Sequence, residues 1–202
     1  MSGSNDMRKL CFATLCASAL LLSGCLFPEK FKAKIDVNPD ASYLVKFDGT
    51  VAAIPVLMGM DGKKHSLNPQ DEKALQKDVP SLSKMPGVKK VSYIGNARYQ
   101  IDIDLMRPAK APLNLFDVLM VRTDKDGVMT IATPKFSAAD IKQISQLGLA
   151  PDGLLEVTLP KNAEVIESNA TTSPSFFGLF NKYAWKIGDL QTRPMMRLKF
   201  KS

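Results

Sequence analysis

A chain of 202 residues, 45% hydrophobic and carrying a net charge of +7, has room for a signal and one domain with a single buried core. Its three cysteines all fall within the first 25 residues, which leaves the rest no thiol for a disulfide, a Cys-ligated zinc or a Cys nucleophile. A lone histidine, His65, excludes multi-histidine metal sites and makes His-based triads hard to build.

Arg8 and Lys9 precede a continuous apolar run from Leu10 to Leu22. That run is too short to span a bilayer, which takes about 20 apolar residues, but has the length of a secretory h-region. Met7 opens a more usual signal than Met1. Leu22-Ser23-Gly24-Cys25 then resembles the lipobox of bacterial lipoproteins. The resemblance implies cleavage between Gly24 and Cys25 and a thioether from Cys25 to diacylglycerol. Small residues at 23 and 24 let the backbone enter a peptidase cleft, and the reaction needs sulfur at the first mature position. One acyl chain holds a protein marginally, at about 0.8 kcal/mol per buried CH₂; two or three hold it durably. Leu26, where Asp would favour inner-membrane retention, is compatible with the outer membrane in a double-membrane host, with the domain facing the periplasm. The expected layout is a signal over residues 1–24, a lipidated Cys and tether over 25–30, and one envelope domain over 31–202.

The domain keeps a charge of about +6. A basic exported domain beside a bilayer is attracted to anionic headgroups and wall polymers. The export signal argues against nucleic acid. The lysines are spread along the chain, which also fits a solvated surface.

In chain order, Phe31–Val37 alternates as a strand, Asn38-Pro39-Asp40-Ala41-Ser42 is a turn, and Tyr43–Phe47 is a second strand. Val51–Met58 reads as extended, with Pro55 marking an edge. Asn68 caps a helix with Pro69 at its first position, running to Val79 before Pro80 interrupts it. Val88–Ile94 and Ala97–Met106 form a hairpin across Gly95-Asn96. In its second strand Tyr99, Ile101, Ile103 and Leu105 share one face, and Arg98, Gln100, Asp102 and Asp104 the other. Leu115–Thr123 and Val128–Thr133 flank the turn Asp124-Lys125-Asp126-Gly127. Ser137 and Asp140 form a capping box for a helix ended by Gly148. Leu154–Leu159, Ala163–Ser168, Tyr183–Ile187 and Met195–Phe200 are closing strands. The expected fold is α+β: a mostly antiparallel sheet of about eight to ten strands with two short helices packed on it.

The stretches Ile35-Asp36-Val37-Asn38-Pro39-Asp40, Leu155–Pro160, Asn169-Ala170 and Tyr183–Ile187, behind a lipobox, resemble the LppM-type lipoprotein domain family. That resemblance implies a mostly β envelope lipoprotein and transfers no catalytic residue. The usual Gly after Asp40 is replaced by Ala41, and Phe176–Asn181 looks like an addition.

Few residues suggest chemistry. Asp102 and Asp104 lie about 6.6 Å apart on one strand face, a spacing that could hold a divalent cation or an acid–base pair; a solvated face is the plainer reading. Asp124-Lys125-Asp126-Gly127 departs from the EF-hand, with Gly fourth and Lys135 twelfth. No nucleophile elbow or phosphate loop occurs. No catalytic residue, metal site or cofactor is assigned. Phe176, Phe177, Leu179 and Phe180 form an unusually apolar connection, with Lys182 beside it. They are a candidate membrane or partner contact, or a plug for the end of the sheet. Trp185 shares a face with Tyr183 and Ile187 as core.

Three functions remain. The first is a non-enzymatic binding or scaffold module facing anionic lipid, wall polymer or an envelope protein. The second is a lipid-handling module with an acyl chain in its β domain and the Phe176–Phe180 segment as gate. The third is a carboxylate- or metal-dependent hydrolase using Asp102 and Asp104.

Overall fold

The computed structural model describes residues 26–59, 67–174 and 181–201. Gly24, Cys25, His65, Phe176, Phe177, Leu179 and Phe180 lie outside them. The fold is α+β and mostly antiparallel, with eleven strands divided between two sheets and three helices among the described residues.

The first sheet contains β1 (Leu26–Val37), β2 (Tyr43–Ala53), β3 (Val88–Gly95), β4 (Arg98–Arg107), β8 (Asp152–Thr158) and β10 (Lys182–Ile187). Its order is β10-β8-β1-β2-β4-β3. The second contains β5 (Leu113–Leu115), β6 (Leu119–Thr123), β7 (Met129–Ala132), β9 (Ala163–Ser168) and β11 (Met195–Phe200), in the order β5-β6-β7-β11-β9. Alternation puts Ile35, Val45, Ile101 and Val157 of the first sheet and Val121, Ile131, Met196 and Leu198 of the second into one buried core. The pair β1–β8 is parallel, and the other strand pairs are antiparallel.

Helix α1 (Ile54–Met58) follows β2 directly. Pro55 starts it, rather than marking an edge strand, because a missing N–H is harmless in a first turn. Helix α2 (Pro69–Leu82) has the expected Asn68 cap, whose side chain accepts from the N–H groups of Gln70 and Asp71. It runs through Pro80, where the carbonyl left unpaired is close to the exposed end of the helix. A clasp docks it on the first sheet. The Tyr93 hydroxyl donates to Glu72 Oε2 at 2.5 Å, the Asn96 N–H to Glu72 Oε1 at 3.0 Å, and the Tyr99 hydroxyl to the Leu75 carbonyl at 3.0 Å. Burial, then the bond to the Glu72 carboxylate, pushes the Tyr93 phenol up to about 12; burial also raises that of Tyr99. Helix α3 (Ala138–Gln146) has the capping box of Ser137 and Asp140, and Gly148 follows with φ +70°.

Two boundaries differ from expectation. Leu26–Lys30 is not a tether: it is the first part of β1, with Leu26, Phe27 and Pro28 buried. A bulge between Pro28 and Lys30 breaks the alternation that would have revealed it. Leu115–Thr123 is broken by a tight turn at Phe116-Asp117, with φ values of +53° and +54°. The Val118 N–H closes this turn on the Leu115 carbonyl at 3.1 Å, and Asn114 Nδ2 donates to Asp117 Oδ1.

Candidate functional site

Strand β1 has twelve residues, about 40 Å of extended chain, whereas the strands of the second sheet have three to six. Toward the N-terminal end of β1, segments 133–136 and 187–192 complete the cover, and an apolar cleft opens between them and the two sheets. As it stands the cleft is a narrow slot, with an inner volume of about 40 Å³. All but Thr133, Asp189 and Thr192 of its sixteen lining residues are apolar, so its walls match a hydrocarbon in chemistry and offer almost nothing to a polar ligand.

The floor is built around Phe31. In register, Phe31 lies between Gly49 on β2 and Gly153 on β8. A β-carbon at Gly153 would sit on the Phe31 ring, and one at Gly49 would meet Phe31 Cβ at 2.5 Å. The two glycines therefore provide the trough in which this side chain lies. The ring stacks on Phe47 at 5.6 Å, and Phe47 meets Phe116 edge-on at 5.2 Å. The left-handed backbone at Phe116, unfavourable for a bulky residue, carries that ring onto the stack. Phe31 and Phe136 line the cleft and are only partly buried.

Polar groups at the rim are spent locally. Asp189 Oδ1 accepts from the N–H groups of Gln191 and Thr192 at 2.8 and 2.6 Å and from Thr192 Oγ1 at 3.0 Å. These bonds hold its carboxyl below the usual range. Nearby, Asn169 Oδ1 accepts from Trp185 Nε1 and from the Met195 N–H, both at 2.8 Å. Trp185 is 2% exposed, a core residue of the first sheet.

Asp102 and Asp104 stand on the outer face of β4, away from the cleft. Asp104 pairs with Lys46 at 3.5 Å, and Asp102 is opposite Asp48 on β2 and Lys90 on β3. The face alternates lysines with carboxylates as a solvated charge grid. Among the described residues no group of three or more His, Cys, Asp or Glu is arranged to hold a metal ion. Asp124 caps its own turn, its Oδ1 accepting from the N–H groups of Asp126 and Val128 at 2.9 Å.

Lys182 is exposed and ion-paired with Glu156. It lies opposite Thr158, five residues along β10 from Ile187 and so about 17 Å from the cleft wall. The neighbouring Asn181 carbonyl accepts from the Leu159 N–H at 2.9 Å. Both flanks of the expected Phe176–Phe180 gate are thus at the far end of the sandwich. A second hollow at that far end is lined by Lys110, Lys199, Lys201 and Asp40. No described helix is long and apolar enough to cross a membrane.

Sequence reasoning missed the cleft. Its walls come from stretches scattered from Phe27 to Thr192, and the glycine pair beside Phe31 is visible only once the register is known.

Fold and site together define an α+β two-sheet domain with an apolar cleft at one end. No protein-family model matches the chain, and no curated protein matches it. Among solved structures, it is similar to the folded domain of LppM from Mycobacterium tuberculosis, determined by NMR. The identity is 17%, the match covers 87% of this chain and 94% of that one, and the TM-score is 0.35, a weak resemblance at the level of the fold.

Proposed function

We propose that this protein is a lipid-anchored envelope lipoprotein that binds, without catalysis, the hydrocarbon chain of a lipid in the cleft beside Phe31. The observation that carries this reading is the cleft itself, lined by apolar side chains at thirteen of its sixteen positions and narrow enough that a chain must part Phe31 and Phe136 to enter. It moves the lipid-handling alternative ahead of the basic scaffold. The anchoring half rests on the sequence through Gly24 and Cys25: intact mass of the native protein should show cleavage before Cys25 and an acylated thiol. A full-length, unacylated product would refute it.

The binding half is tested with a fluorescent fatty acid that brightens in apolar surroundings. The protein should bind it saturably, and Val118→Trp, which narrows the mouth from a partly buried position, should weaken binding by about tenfold, or about 1.4 kcal/mol. Unchanged affinity with folding intact would remove the cleft from the account. A second reading, docking to an anionic wall polymer, is favoured by the three lysines of the far hollow. It predicts salt-sensitive retention that Lys199→Glu abolishes.

A further inference from the structure

Resting on the lipid-cleft reading, we infer that the cleft opens onto the same bilayer to which Cys25 is joined, and takes its hydrocarbon chain directly from that leaflet. The domain has no spacer behind its anchor. Strand β1 starts at Leu26, and Leu26, Phe27 and Pro28 are all buried. Phe27 and Pro28 themselves line the cleft. They stand two and three residues from the acylated position, about 7 to 10 Å of extended chain. The anchor therefore holds the wall of the cleft formed by Phe27 and Pro28 within about 10 Å of chain from the acylated position, the basis for placing the mouth at that leaflet.

The surroundings of the mouth agree. Leu26 is opposite Ala53, whose N–H donates to the Ala97 carbonyl at 2.8 Å. Helix α1 and the Asn96-Ala97 turn thus ring the same end. Met58 on α1 and Ile94, on β3 just before that turn, are exposed there at 52% and 53%, while Met106 is exposed at the other end of β4. The lysine hollow is at the opposite end, facing away from the bilayer. Proximity also has an energetic purpose. A lipid that crosses water exposes its methylenes, and every two exposed slow the crossing by about tenfold. A cleft pressed against the leaflet removes that gap.

The test uses the acylated full-length protein in vesicles of phosphatidylethanolamine and phosphatidylglycerol that contain a phosphatidylglycerol with a pyrene-tagged acyl chain. Uptake isolates the probe and is read as a rise in pyrene monomer emission. A variant carries a Gly/Ser insert of about twelve residues between Cys25 and Leu26, with a root-mean-square span of about 20 Å. Its uptake should be slower than wild type by at least about tenfold, while both proteins bind the same probe equally in detergent micelles. Equal uptake rates in vesicles would overturn the inference. So would an acylated protein that refuses a probe taken by Cys25→Ser, since the anchor's own chain would then be filling the cleft. Failure of every form to bind the probe in micelles would instead refute the lipid-cleft reading itself.

Discussion

Gly153→Ala tests how the cleft floor is built. Gly153 lies beside Phe31 in the parallel β8–β1 pair, and an added methyl group would coincide with the edge of the Phe31 ring. The backbone at Gly153 needs no positive φ, so the cost is steric alone. Gly49 lies in register with Phe31 on the other side, and Phe47 stacks behind at 5.6 Å. The ring therefore escapes only into the cleft. Overpacking of this kind costs about 1–3 kcal/mol. For a domain of this size each kcal/mol lowers Tm by about 2–4 °C, giving a drop of about 2–12 °C. Denaturant unfolding of wild type, Gly153→Ala, Phe31→Ala and the double variant measures the coupling. Without the ring the methyl group has nothing to strike, so the cycle should show about 1–2 kcal/mol of interaction. Fatty-acid binding should weaken in Gly153→Ala. Additive costs would refute the claim that Gly153 exists to seat Phe31.

Other perturbations follow from the geometry. Ala41 adopts φ +65°, a conformation costing an L-residue about 1–2 kcal/mol that glycine adopts freely. Part of that gain is offset by the looser unfolded chain, so Ala41→Gly should stabilise by about 0.5–1 kcal/mol in denaturant titration. The Asp189 carboxyl is lowered from 3.8 by its bonds to Thr192 and Gln191. Its contribution is present above the unfolded value and lost as pH falls through the folded one. The Tm advantage of wild type over Asp189→Asn should therefore shrink below pH 3.8. Tyr93 titrates near 12 instead of 10.0. Its raised value stabilises fully below 10.0 and is lost as pH rises toward 12, so Tyr93→Phe should flatten the alkaline limb of the stability profile, and phenolate absorbance should show one late-titrating tyrosine fewer.

Local signals were legible where one interaction dominated. The alternation of Tyr99, Ile101 and Ile103 against Gln100 and Asp102 gave β4 and its buried face. Strands β9 and β11 begin and end where the pattern put them, and Ser137 with Asp140 marked the start of α3. What escaped depends on partners far away in sequence. The parallel β1–β8 pair joins Phe31 to Gly153, and nothing local announces it. The break at Phe116-Asp117 escaped because a phenylalanine with positive φ contradicts turn preference; tertiary packing on Phe47 overrides it. The division into two sheets escaped for the same reason: hairpin chemistry predicts neighbours, not which sheet a hairpin joins.

The anchor and the Phe176–Phe180 segment make a final prediction, since a membrane contact at both would require both to face the bilayer. The residues flanking the segment are placed by the bridge between Thr172 and Ala184 and by Lys182 opposite Thr158. They stand beside Asp36, near the C-terminal end of β1, whereas Leu26 begins it. Ten residues of strand, about 33 Å, separate the two ends. A domain held without spacer at Leu26 keeps Lys182 well away from the headgroups, and Glu156 already pairs with its ammonium. Phe176→Ser with Phe180→Ser should therefore leave unchanged the rate at which the acylated protein leaves its vesicles for an excess of empty ones. A clear rise in that rate would mean that the far end seeks the membrane, and that the orientation assigned to the cleft is reversed.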